Sequence, residues 1–410
     1  VAAALGVSAA LGAPSGTNPH PAPLVRPPAA PLSAMAQLGR RVFFDRSLSS
    51  SGRLSCADCH SPQHAYGPPS GESVMNGGPT LARQGLRAVP SLMYLERQPA
   101  FSIGPDNPES EGGATPAAGA SAAALVPQGG LFWDGRADTL QQQALAPLLD
   151  PLEMDGGSVT RVAATLRRAP YAPLMVELFG ATIFDQPALA VSEALFAVGR
   201  YQIEDPSFHP YSSKYDAWLE GKATLDPSEM RGYRLFNDPK RANCAGCHLD
   251  APSPDGLPPL FTDHQYEALG VPRNAQLAAN RDPAFFDLGL CGPVRTDLRA
   301  QHAYCGMFQT PTLRNVATRR VFFHNGVYHS LQAVLDFYVF RDTRPQRVYP
   351  RTRAGNVLAY DDLPLAYRRN IDTIDPPFDR RRGDPPVLSP AEERDVIAFL
   401  RTLTDGYRAP

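Results

Sequence analysis

Cys56-Ala57-Asp58-Cys59-His60 and Cys244-Ala245-Gly246-Cys247-His248 are two copies of Cys-x-x-Cys-His, the attachment pattern of c-type haem. The chemistry explains the spacing. Two thiols one turn apart bond a porphyrin edge as thioethers, and the adjacent histidine swings under the ring to ligate iron. The competing reading is a zinc or redox Cys-x-x-Cys. It fails because neither copy is accompanied by the second Cys/His pair that closes a structural zinc site. The sequence therefore predicts two covalent haem c groups, bound by Cys56, Cys59 and His60 and by Cys244, Cys247 and His248.

Upstream of each motif the residues read as a helix. One starts at Ser33, with Met35, Leu38 and Val42 on one face, and leads through Phe43-Phe44-Asp45 to the first motif. The other starts at Asp226-Pro227-Ser228-Glu229, a capping box with proline at the first helical position, and carries Met230, Tyr233 and Leu235-Phe236 to the second. Helix, loop, Cys-x-x-Cys-His thus occurs twice, a weak internal repeat. Pro187 to Gln202 reads as a further helix, and Ser389-Pro390-Ala391-Glu392 opens a last one with another capping box. Few stretches alternate as strands do. The expected fold is mainly α, with two cytochrome c-like domains joined by long loops. Residues 1–31 form a leader or linker, 32–221 the first haem domain and 222–410 the second. The last helix is free to pack back on the first domain.

At 410 residues with a formal net charge of −2, the chain offers no bulk charge for nucleic-acid binding. No run is long enough to span a bilayer. Val1 to Leu11 reads as the tail of a secretory h-region or an Ala-rich leader, and haem c attachment points to export to the periplasm. Cys291 and Cys305 lie outside the haem motifs. A disulfide is expected between them in an oxidising compartment, the alternative being two free thiols. Gly104 to Gly130 reads as a mobile surface loop. Arg341 to Arg382, dense in arginine and proline, reads as a braced solvated loop, or else as a docking surface or a source of haem-propionate partners.

From Leu32 onward the chain resembles the bacterial di-haem cytochrome c peroxidase/MauG family. The resemblance rests on Leu38-Gly39-Arg40-Arg41-Val42-Phe43-Phe44-Asp45, on Phe132-Trp133-Asp134-Gly135-Arg136-Ala137 and on Gln143, Pro147 and Glu153-Met154. It continues through Phe308-Gln309-Thr310-Pro311-Thr312-Leu313-Arg314-Asn315-Val316 and Phe323-His324-Asn325-Gly326. It implies that Cys56, Cys59 and His60 hold a peroxidatic haem, with Glu153 as distal acid/base, Gln143 nearby and Pro147 over the open iron face. Trp133 would lie between the haems. Cys244, Cys247 and His248 would hold an electron-transfer haem with Met307 as sixth ligand and Tyr304 as the alternative. Peroxide cleavage needs a proton shuttle, and a carboxylate over the haem serves as one. By itself Glu153 is only an acidic residue after Pro151, Trp133 only a core aromatic and Met307 only a core methionine; the matched motifs give them roles.

The implied function is reduction of hydrogen peroxide with electrons from a small periplasmic cytochrome c or copper protein, the oxidising equivalents being shared between both haems. Two alternatives stand beside it. One is a MauG-like oxidase acting on residues of a partner protein; MauG has a tyrosine as sixth ligand, so methionine at 307 argues for the peroxidase. The other is a non-catalytic di-haem electron-transfer cytochrome. Two departures from the family pattern matter. Ser70 to Arg87 holds no histidine to block the first iron, so that iron is expected open at rest, with Met75 as the remaining candidate blocker. The family's interdomain calcium uses an asparagine before a Pro-Ser/Thr pair, where this chain has Ala88 in Arg87-Ala88-Val89-Pro90-Ser91. Calcium is thus implied only through backbone oxygens. Homodimers are common in the family, which leaves a homodimer open.

Overall fold

Ser33 begins the first ordered helix as expected: its hydroxyl accepts the amide hydrogen of Ala36 at 3.1 Å. The computed structural model describes residues 16–106 and 125–409, and the surface loop expected over Gly104–Gly130 lies largely outside them. Ten α-helices and three two-stranded antiparallel ladders occur among the described residues.

In the first half, α1 (Ala34–Phe43) leads to α2 (Cys56–Cys59), which carries the first haem motif. Strands β1 (Asn76–Gly77) and β2 (Arg83–Gln84) pair, as do β3 (Ser102–Pro105) and β4 (Leu125–Gln128). Then come α3 (Leu140–Leu149), α4 (Val159–Leu166), α5 (Ala172–Phe179) and the long α6 (Pro187–Glu204). α1 buries Leu38, Val42 and Phe43 against α6. The two helices touch backbone to backbone at Gly39, where a Cβ would fall 1.8 Å from the carbonyl oxygen of Ala197. Phe43 closes α1 inside a cage of Tyr66, Tyr201 and Phe208. Burying such a ring stabilises by about 2 kcal/mol.

The second half repeats this plan. α7 (Lys214–Leu219) and α8 (Pro227–Phe236) precede the second motif; β5 (Tyr266–Glu267) pairs with β6 (Phe308–Gln309); α9 (Leu331–Phe340) and α10 (Pro390–Arg401) follow. α8 begins with the expected Asp226–Glu229 capping box and α10 with Ser389–Glu392. α8 and α10 cross at Gly232, where a Cβ would fall 1.9 Å from the carbonyl oxygen of Asp395. Phe236 ends α8 in contact with Phe261 and Phe399.

The last helix therefore packs on α8 in the second core, not on the first. Residues just beyond it reach across: Asp405 accepts from the Tyr94 hydroxyl and, at 2.8 Å, from the Ser212 amide. Tyr211 lies in the first core and Tyr215, Trp218 and Leu219 in the second, so the cores part ahead of the 221/222 boundary expected from sequence. Part of the leader is also claimed by the second core. Leu24 is buried there, Arg26 pairs with Glu220 at 2.9 Å, and the Trp218 indole donates to the carbonyl of Gly16 at 2.9 Å.

Arg314 joins the halves. Its guanidinium makes two bonds to Asp216, at 2.9 and 2.7 Å, and lies over the rings of Tyr94 and Tyr211 from the first core. The expected Cys291–Cys305 disulfide is formed. The arginine-rich stretch from 341 is anchored: Arg341 is fully buried and donates to the carbonyls of Leu269 and Asp372. Among the described residues no helix is long and apolar enough to cross a membrane.

Candidate haem sites and the path between them

Four cysteines stay as free thiols while the other two are bonded to each other. Burial pushes the thiols of Cys56, Cys59 and Cys244 up to about 12, and raises that of Cys247 as well. Reactive redox cysteines need stabilised thiolates, which this burial does not supply. Among the described residues, no three His, Cys, Asp or Glu side chains gather as a metal cluster either.

The two histidines are prepared alike. His60 Nδ1–H donates to the carbonyl of Tyr66 at 3.1 Å, and His248 Nδ1–H to that of Phe261 at 2.9 Å. A carbonyl only accepts, so the proton sits on Nδ1 and the Nε2 lone pair is left for iron. Burial lowers both rings to about 4, keeping them neutral and ready to ligate.

A cavity of about 590 Å³ opens beside the second motif, within the range of cofactor sites. Cys244, Cys247 and His248 line it, and it runs past Phe132 and Trp133 to Gln143. Arg319 also lines it. This guanidinium is lowered to about 10 by burial and, among the described residues, pairs with no carboxylate. An unneutralised buried cation on the wall fits a haem propionate. With the free thiols and prepared histidines, these residues fit the two haems that the motifs imply.

Gln143 and Pro147 lie on α3, and Glu153 on the turn that follows it. Gln143 and Pro147 are four apart and share a helix face. Pro147 lacks an N–H, so one bond is missing from the ladder of a helix that runs on to Leu149. The chain turns back, the Met154 amide bonds the Pro147 carbonyl at 3.1 Å, and the Gly78 amide holds the Glu153 carbonyl at 2.7 Å. Glu153 keeps an exposed side-chain surface although protein surrounds it. Burial, with the charge of Asp150 adding and that of Arg136 opposing, raises it to about 7. Its charge also bears on Cys59, which sets it beside the first haem motif.

Trp133 is held from both halves. Its indole donates to the Ala88 carbonyl at 2.8 Å, and its own carbonyl accepts from Gln309 at 3.0 Å. His324 lines the cavity, stacked on Phe308 at 3.5 Å, and His64 bonds Ser61 in a turn.

Met307 is the sixth ligand expected from the resemblance at the second site. Gly306 and Phe308 are on the cavity wall, but Met307, whose extended backbone bridges to Gly289, is not. Alternation along extended backbone turns it away. Tyr304 does not line the cavity either. Tyr338 of α9 does. Its ring stacks on Phe378, and its hydroxyl makes no hydrogen bond among the described residues. Burial raises its phenol, and the sulfurs of Cys247 and Cys244 add to the shift. Sequence reasoning missed it because a tyrosine inside Leu335-Asp336-Phe337-Tyr338-Val339-Phe340 reads as one more core aromatic.

Residues 33–224 match the family described as di-haem cytochrome c peroxidase. The methylamine utilization protein MauG of Paracoccus denitrificans is 34% identical over 385 residues, 92% of this chain and 90% of that protein. The cytochrome c551 peroxidase of Nitrosomonas europaea is 27% identical, over 74% of this chain and 72% of that one. The crystal structure of the diheme peroxidase BthA from Burkholderia thailandensis superposes with a TM-score of 0.80 at 36% identity, covering 95% of this chain and 92% of that one.

Proposed function

The chain belongs to the di-haem cytochrome c peroxidase and MauG family, an oxidoreductase family, and on that premise we propose that it is a periplasmic enzyme that reduces hydrogen peroxide to water. Two electrons and two protons turn one peroxide into two waters. A small cytochrome or copper protein supplies the electrons at the second haem site. Bound haem iron supplies the redox chemistry: a place for peroxide to be cleaved and for oxidising equivalents to be held.

The observation that carries this reading is Glu153, an exposed carboxyl whose charge bears on Cys59 and which its surroundings raise to about 7. Near neutral pH such a carboxyl is present in both forms. It accepts a proton from one peroxide oxygen and returns it to the oxygen that leaves. Gln143 offers an amide to orient the substrate, and Pro147 brings no N–H of its own to compete. Trp133 offers an aromatic bridge towards the second site.

The test is stopped-flow absorbance of the fully ferric protein mixed with one equivalent of peroxide. A fast spectral change that is lost in Glu153→Gln is expected. If reaction begins only after the second haem is reduced, the first site is blocked at rest; if neither form reacts, the reading fails.

Tyr338 supports a second reading. In place of Met307, we assign its phenol as the sixth ligand at the second haem. A methionine ligand raises haem potential, and exchanging it for phenolate favours the oxidised side. That suits MauG-like oxidation of residues on a partner protein. Tyr338→Met should raise the potential of the second haem in a spectroelectrochemical titration; an unchanged potential would remove the phenol from the iron.

A further inference from the structure

Arg87 precedes Ala88 at the seam between the halves, and its side chain is only 8% exposed. Nε and Nη2 fork onto Asp287, at 2.6 and 2.8 Å, and Nη1 donates to Asp134 at 2.7 Å. Asp134 follows Trp133 in the first half and is fully buried; Asp287 lies in the second half, in the chain leading to Cys291. The guanidinium also lies 5.6 Å from the ring centre of Phe308.

The next residue completes the arrangement. The Ala88 carbonyl accepts the Trp133 indole, and the Ala88 amide donates to the His324 carbonyl at 2.7 Å. The remaining anchor of Trp133 is Gln309, next to Phe308. Both hydrogen bonds of Trp133 among the described residues therefore run through Arg87-Ala88 or Phe308-Gln309, and the guanidinium lies over Phe308.

The same residues do not fit a calcium ion. Ala88 has no side-chain oxygen. Both oxygens of Asp134 are taken, by Arg87 and by Arg136 at 2.8 Å, and both of Asp287 by Arg87. A hard cation needs six to eight oxygens, and the carboxylates nearest this seam are already spent on guanidinium. A planar fork suits this geometry where an ammonium would not.

We propose that Arg87 is a positioning residue: beside Arg314, its guanidinium is a second cation that ties the two halves together, and it fixes Trp133 between the two haem sites, in place of an interdomain metal. This rests on the reading that Trp133 links those sites.

The test uses the holoprotein and does not depend on peroxide. Electron exchange between the haems is followed after sub-stoichiometric reduction, in wild type, Arg87→Met and Arg87→Lys, with calcium content measured after dialysis against EGTA. The expected result is a wild type with little calcium and an undiminished rate. Arg87→Met should then slow exchange by about tenfold or more while both haems stay attached, with part of the rate recovered in Arg87→Lys. Should Arg87→Met fail to fold, Asp287→Asn is expected to slow exchange as well. An unchanged rate in the folded variant overturns the proposal while leaving the Trp133 link standing. So does a wild type that holds one calcium per chain and loses rate on its removal. A wild type without any exchange between the haems overturns both.

Discussion

In the first half the helix before the haem motif crosses α6 at Gly39 and ends on buried Phe43; in the second it crosses α10 at Gly232 and ends on buried Phe236. Each haem histidine donates Nδ1–H to a later carbonyl, and each is neutral. The halves part on the opposite wall. The first presents an exposed Glu153 on the turn after α3, the helix that carries Gln143 and Pro147. The second presents Tyr338, with carboxyls close by, among them Glu267, which burial and the charges of Asp372 and Asp263 raise to about 8. A cage that holds haem recurs because two helices meeting at glycine, capped by a ring, is a stable solution wherever the motif occurs. On the proposed reading, function separates in the residues that would face each iron.

If the walls are specialised in this way, substitutions on them should not be interchangeable. Glu153→Gln should lower the rate of the first peroxide step by about 10²- to 10⁴-fold. Tyr338→Phe should leave that step within about twofold while changing the second haem's spectrum. Equal slowing by both, in stopped-flow traces of the ferric protein, would break the division of labour.

The seam is the next place to press. Asp216 is buried, which pushes its carboxyl up, but the charge and hydrogen bonds of Arg314, with those of Ser213, outweigh burial and hold it below its ordinary 3.8. A depressed carboxyl stabilises the fold above its unfolded value and loses that contribution as pH falls through the folded one. Stability should therefore drop below about pH 4. Asp216→Asn should cost about 3–5 kcal/mol at neutral pH, because Arg314 is left buried and unpaired, and should flatten the acid limb of a denaturant–pH series. An acid limb unchanged in the variant would assign it to other groups.

How much of this was written in the sequence depends on how local the physics is. Ser33, Asp226 and Ser389 announce their helices because a cap needs only residues a turn away. The haem motifs are legible for the same reason. Glu153 looked like any acidic residue after a proline; its raised carboxyl comes from protein brought around it by α3 and the turn at Gly78. Met307 looked right by adjacency to Phe308-Gln309-Thr310-Pro311, but backbone alternation decides which neighbour faces the cavity. Tyr338 was hidden in an apolar helix whose inward face the sequence alone does not orient. The fork of Arg87 spans 200 residues of chain to Asp287, a pairing no local pattern contains.

The repeat itself can be tested with matched changes. Gly39→Ala and Gly232→Ala each push a methyl into a facing carbonyl, and each should cost about 2–3 kcal/mol in urea unfolding of the holoprotein. Similar costs would support equivalent cages; a tolerant Gly232→Ala would show that only the first crossing is tight. The helix starts give the finest comparison. Ser33→Ala removes one cap bond and Asp226→Ala one side of a capping box, and each should cost about 1 kcal/mol. Ser33 also hydrogen-bonds Glu204 at the end of α6, at 2.8 Å through its amide and 3.0 Å through its hydroxyl, whereas Asp226 lies 3.6 Å from Lys214. If the caps act only within their own helices, the two losses match; an excess at Ser33 that disappears in Glu204→Gln would show that the first helix pair is tied at its open end as well as at its glycine.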